Sequence, residues 1–173
     1  DASVDVVVSG LVLNFVADAR AALLEMARVT RAGGTIAAYV WDYGAKMELM
    51  RVFWDAAVAL DPDAAKLDEG LRFPLCRAQA LEQLFAGAGL KDLASTAIDI
   101  ATPFANFDDY WQPFLGGQGP APAYAMSLAE TARGQLRERC KERLPIGADG
   151  SIALTARAWA IRDCSAPMLP SMS

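Results

Sequence analysis

Hydrophobic positions along the chain fall into short unbroken runs and longer periodic ones. Val4 to Val8 is an apolar run interrupted only by Asp5, rich in β-branched residues, and it stops at Ser9-Gly10. Runs of this kind mark strands buried on both faces of a parallel sheet. Asp18 then stands as an N-cap for a helix reaching about Thr30, with Ala19, Leu23, Met26, Ala27 and Thr30 on one face. Gly33-Gly34 is a stop signal, and Thr35 to Trp41 gives a second apolar strand. Strand, helix, glycine turn and strand in this order predict a right-handed βαβ unit of a doubly wound sheet.

The period changes again after Asp42-Tyr43-Gly44. Met47, Met50, Phe53, Trp54, Ala57 and Val58 recur at helical spacing until Asp61-Pro62-Asp63 ends the run. A loop through Phe73-Pro74 leads to a helix from Ala78 to Ala88, with Leu81, Leu84, Phe85 and Ala88 as its apolar face and Gly89 closing it. Leu90 to Ala101 predicts a strand with Ala94, Thr96, Ile98 and Ile100 on one side. Residues 102–150 then predict a helical insertion: an aromatic helix from Asp108 to Phe114, a loop from Gly116 to Pro122, and a charged helix from Ser127 to Leu144. Ile152 to Ile161 is the last strand, and 165–173, with two prolines and three serines, predicts a disordered tail.

At 173 residues, 54% hydrophobic and 21% charged, the chain is too apolar for a disordered one and suits one domain over 1–164. A net charge of −5 argues against nucleic-acid binding, which needs clustered Lys and Arg. No apolar run approaches the roughly 20 residues that span a bilayer, and no signal peptide is expected. Cys76, Cys140 and Cys164 are far apart and in no CxxC pair, which predicts a reducing, cytoplasmic setting with no zinc site. The chain contains no histidine, so triads and metal sites built on imidazole are excluded within it, and no metal is expected.

The order of elements and several local sequences resemble the C-terminal half of class I S-adenosylmethionine-dependent methyltransferases. Asp5-Val6-Val7-Val8-Ser9 is similar to the family's fourth strand, and Ala21 to Thr30 to the helix after it. Arg31-Ala32-Gly33-Gly34-Thr35 resembles the Arg/Lys-Pro-Gly-Gly turn before the fifth strand, and Phe85-Ala86-Gly87-Ala88-Gly89-Leu90 the entry to the sixth. The resemblance implies a Rossmann-like α/β sheet, mostly parallel, with an antiparallel last strand. The family's glycine-rich cofactor turn is absent. Gly116-Gly117-Gln118-Gly119 does not replace it, because it follows a helix and precedes Pro120. The expectation is therefore a truncated chain, inactive alone, whose parent transfers a methyl group to a small-molecule acceptor.

Ligands of open α/β sheets bind beyond the carboxyl ends of the strands. By resemblance, Ser9, Gly10, Leu11 and Asn14 would contact the methionine part of S-adenosylmethionine; the plainer reading of Ser9 and Gly10 is a turn after the strand. Trp41 and Tyr43 would line the acceptor site, with Asp42 accepting a proton when the acceptor must lose one; a Trp at a strand end also suits packing. Tyr110 and Trp111, beside Asp108 and Asp109, fit a lid over the acceptor or a packing role equally. Ser9-Gly10-Leu11-Val12 differs from the Asn/Asp-Pro-Pro-Tyr motif of the family's amino-group enzymes, which argues against adenine or amide methylation. The rival expectation is a non-catalytic remnant that forms a homo-oligomer through its apolar first strand.

Overall fold

Val4–Gly10 forms strand β1 in the computed structural model, which describes residues 1–164. The Asp18 carboxylate accepts the Ala21 amide at 2.8 Å, satisfying one of the orphan donors that open α1 (Ala19–Val29). This helix buries Leu23 and Ala27 and hands the chain to β2 (Thr30–Trp41), which runs parallel to β1. The glycine pair does not precede the strand. It lies inside it as a bulge, where the partners step from Val4↔Thr30 to Val6↔Thr35. Glycine is required at 34, because a Cβ there would stand 2.7 Å from the Asp5 carbonyl oxygen and 2.9 Å from that of Arg31.

Helix α2 (Glu48–Leu60) ends where Asp61 accepts the Asp63 amide and Pro62 starts a short 3-10 turn. A one-turn helix, α3 (Glu69–Arg72), and then α4 (Ala78–Gly87) follow. Gly89, at φ +87°, lets the Leu90 amide return to the Phe85 carbonyl at 3.3 Å. That cap uses residues 88–90, so β3 (Leu93–Phe104) starts later than its hydrophobic pattern predicts. The helices α5 (Phe107–Trp111), α6 (Pro120–Ser127) and α7 (Glu130–Arg143) precede β4 (Ile152–Asp163).

The strands form one mixed sheet in the order β1-β2-β4-β3. β4 pairs antiparallel with β2, from Ile36↔Asp163 to Trp41↔Ala158. The run Val4–Val8 predicts a strand covered on both faces, and the structure differs. β1 is an edge with β2 as its one neighbour among the described residues, and its face bearing Val6 and Val8 is open, the two being 57% and 59% exposed. On β3, Ile98 and Ile100 are likewise exposed.

Residues gather into two compact units. One comprises 1–41, 74–98 and 158–164; the other comprises 42–73 and 99–157. In the first, Ile36, Ala38 and Val40 of β2 meet Leu23 and Ala27 of α1 and Leu81 and Phe85 of α4. In the second, the helices between β3 and β4 share a core with α2, where the sequence suggested an appended insertion. Phe53 stacks on Phe114 at 4.4 Å between ring centroids and meets Trp54 edge-on at 5.2 Å. Such aromatic pairs add about 0.5–1.5 kcal/mol each beyond the area they bury. Among the described residues no helix is long and apolar enough to cross a membrane, and no cluster of His, Cys, Asp or Glu could hold a metal ion. The tail expected to be disordered, 165–173, lies outside the described residues.

The Phe53→Ala substitution should cost about 3–5 kcal/mol, since it empties a fully buried ring site among partners that relax only in part. Chemical denaturation of the two proteins reads this directly. A loss below about 1 kcal/mol would show that this aromatic cluster does not organise the second unit.

Candidate functional site

The carboxyl end of β1 lies in the first unit, and three of its features follow from the local sequence. Ser9 is half-buried and paired with Ala38 of β2. Gly10 is covered by the Tyr39 ring, whose Cζ would lie 2.7 Å from an added Cβ. The close approach that glycine permits here is thus made by a tyrosine of the neighbouring strand. Leu11 follows at φ +59°, a left-handed conformation that costs a side-chain-bearing residue about 1 kcal/mol or more. Its amide donates to the Tyr39 carbonyl at 2.8 Å, which holds the chain in that turn.

The turn delivers Asn14, within the 3-10 segment Leu13–Phe15, to the end of the strand. The Asn14 Oδ1 is buried and accepts no hydrogen bond among the described residues. A buried amide oxygen without a donor costs about 1–3 kcal/mol. A ligand N–H or O–H placed there would recover that cost, and an aminoacyl group carries such donors. Of the four residues assigned to the cofactor from sequence, Asn14 is the one whose side chain carries a buried oxygen without a donor among the described residues.

Trp41 ends β2 opposite Ala158 and is half-buried. Asp42 and Tyr43 belong to the second unit. Asp42 is 4% exposed, and its carboxylate accepts the Ala45 amide at 2.9 Å while its carbonyl accepts from Met47 at 2.9 Å. The residue therefore builds the tight turn that leads into α2. The Tyr43 ring lies 5.9 Å from that of Phe73, and its carbonyl accepts from Arg51 at 3.0 Å. Tyr110 and Trp111 sit inside the second unit's core, and the Tyr110 hydroxyl donates to the Leu49 carbonyl at 3.0 Å. Of their two sequence readings, packing is the one these contacts describe. Burial raises the Tyr110 hydroxyl and pushes the Cys140 thiol up to about 12, so neither ionises near neutrality.

Two polar arrangements in the second unit have no motif in the sequence. The Arg51 guanidinium grips Asp68 with two parallel bonds of 2.8 and 2.7 Å, both side chains largely buried. The Glu69 carboxylate, 4% exposed, accepts from the Trp54 indole N–H. Only the weaker Arg51–Asp55 contact, 3.4 Å at i,i+4, has a spacing readable in advance. The other partners are 15 and 17 residues apart, beyond any periodic signal.

Comparison with known proteins agrees with the family drawn from the sequence. A family model for the methyltransferase domain matches residues 1–38. No curated protein matches the chain. Among solved structures, a protein of Bacillus halodurans described as a candidate methyltransferase superposes with a TM-score of 0.52 at 11% identity, over 97% of this chain and 66% of its own. The YcgJ protein of Bacillus subtilis gives a TM-score of 0.46 at 18% identity, over 94% of this chain and 64% of its own. The chain thus spans just under two thirds of the length of the structures it resembles. The first likeness shows the fold, an α/β fold with a mixed sheet similar to methyltransferase structures.

Burial pushes the Glu69 carboxyl above its ordinary value, against the pull of its hydrogen bonds. The folded state then resists ionisation more than the unfolded chain does, so stability falls as pH rises beyond about 4.3, the unfolded carboxyl value. Glu69→Gln keeps an acceptor for Trp54 and removes the charge. Its melting temperature should therefore gain on the parent's as pH rises above about 4.3, until the folded-state carboxyl is fully ionised. A constant difference as pH rises would show that Glu69 carries no such burden.

Proposed function

We propose that this chain is part of a class I S-adenosylmethionine-dependent methyltransferase and serves methyl transfer to a small-molecule acceptor. In this reading it supplies the part of the domain after the nucleoside-binding strands. The observation that carries the reading is the vacant acceptor on Asn14 at the carboxyl end of β1, where open α/β sheets take their ligands. The cofactor, when bound, supplies a methyl carbon on a sulfonium, an electrophile already activated for in-line attack. The chain's own work is to place groups and keep water away.

Asn14 would hold the aminoacyl end of the cofactor through a donor of that group, and the backbone from Ser9 to Leu11 would shape the floor beside it. The tyrosine over Gly10 fixes the height of that floor. Trp41, at the end of β2, serves the acceptor in this reading. The absence of histidine is compatible with this, since displacement at a sulfonium needs a base only for protonated acceptors. No residue of this chain matches the glycine-rich turn that holds the nucleoside. In this reading that contact is supplied by a second segment, and these residues by themselves do not catalyse the transfer.

Isothermal titration with S-adenosylmethionine tests this. The 173-residue chain should bind weakly or not at all, and the same chain joined to the glycine-rich half of a class I methyltransferase should bind. Asn14→Ala in the joined protein should weaken binding about five-fold, the equivalent of one hydrogen bond of about 1 kcal/mol. Absence of binding in both forms would end the proposal.

The exposed valines of β1 favour a second reading, self-association through that edge. Two copies of Val4–Gly10 paired antiparallel about Val7 would set Val6 against Val8 and Asp5 against Ser9, with no like charges opposed. Sedimentation should then show a two-fold dimer at micromolar concentration that Val8→Lys returns to monomer. A stable monomer of the unaltered chain removes this reading.

A further inference from the structure

We propose that a cavity of about 680 Å³ in the second unit is a binding site for a small zwitterion with an apolar body, such as an aliphatic amino acid. The proposal does not depend on methyl transfer. The cavity is open to solvent on one side and lies within the size range of small-molecule sites, and the residues after Asp42, α2, the segment 65–71 and the end of α7 line it.

Its floor is built. Arg51 and Asp68 neutralise each other through their paired bonds, Arg51 also donates to the Tyr43 carbonyl, and Asp68 accepts the Gly70 amide at 2.8 Å. The chain packs so closely there that a Cβ on Gly70 would stand 2.5 Å from the Tyr43 carbonyl oxygen. Four groups are thereby committed, and a ligand gains little from them.

What remains on offer is one charge of each sign and an apolar wall. Arg143 lines the cavity with no carboxylate partner among the described residues. Asp55 lines it too, 58% exposed, held only by a 3.4 Å contact from one of its oxygens to Arg51. Val58, Ala59 and Leu71 supply the wall, and Leu71 is 63% exposed, an apolar side chain of the lining left facing solvent. A carboxylate on Arg143, an ammonium on Asp55 and a hydrocarbon chain against Leu71 satisfy all three. A purely anionic or purely cationic ligand would leave one rim charge facing its like-charged end or unmatched.

Heteronuclear NMR titration of the full chain with L-norleucine, hexanoate and hexylamine decides the matter. Norleucine should shift the amides of Ala45, Ala59 and Ala65 in a saturable way, and hexanoate and hexylamine, each lacking one charge, should bind roughly tenfold more weakly. Arg143→Gln should reduce norleucine to the affinity of hexylamine for the parent, and Asp55→Asn should reduce it to that of hexanoate. No saturable shifts at millimolar ligand, or equal affinity for all three, overturns the proposal. The comparison of three ligands on the unaltered chain stands by itself if either variant fails to fold.

Discussion

The parallel pairing of β1 with β2 is the constraint from which the rest of the first unit follows. Parallel neighbours cannot be joined by a tight hairpin, so the chain must cross over between them, and α1 is that crossover. The crossing places Leu23 and Ala27 against Ile36, Ala38 and Val40 on one face of β2. Because β2 also receives β4 on its other side, it is the strand on which the whole sheet is registered. Its end, at Trp41, is where the chain leaves one compact unit for the other.

Elements governed by local chemistry were readable from the residues. The Asp18 cap, the apolar face of α2 and the glycine-closed end of α4 each depend on contacts within a few positions. Features made by distant partners were not. The glycine pair signals a break in regular backbone, and nothing in it distinguishes a helix stop from a bulge opposite Asp5. Tyr110 and Trp111 carry the same pattern whether they cap a ligand or fill a core, and only the facing residues of α2 and of 112–124 decide between these. The Arg51–Asp68 grip has the same origin, two groups 17 positions apart brought together by packing. At the candidate site, the strand end was readable from Ser9-Gly10, while the ring covering Gly10 belongs to another strand.

Proton chemistry in this chain is narrow. With no imidazole and with Cys140 held protonated by burial, carboxylates are the groups that can exchange protons under mild acid. Burial raises Glu69 and the Ser151 contacts lower Asp149, so chemically identical acids are set apart by surroundings alone. Neutral-pH chemistry on this scaffold therefore leans on alignment and hydrogen-bond donors and acceptors. A methyl-transfer reaction tolerates that restriction, since its electrophile arrives already charged.

Gly34 also bears on how the chain could mis-thread. Sheet side chains alternate with a period of two, so a strand displaced by one place presents the opposite set of side chains. Only a residue without a side chain tolerates the approach of position 34 to the Asp5 and Arg31 carbonyls, so the observed alignment of β1 with β2 needs glycine there. Without it, Val6 and Val8 could trade sides with Val7 and Ser9, and the same seven residues would be wound inside out. One hydrogen atom in place of a methyl group thus admits the alignment in which the ribbon faces as it does.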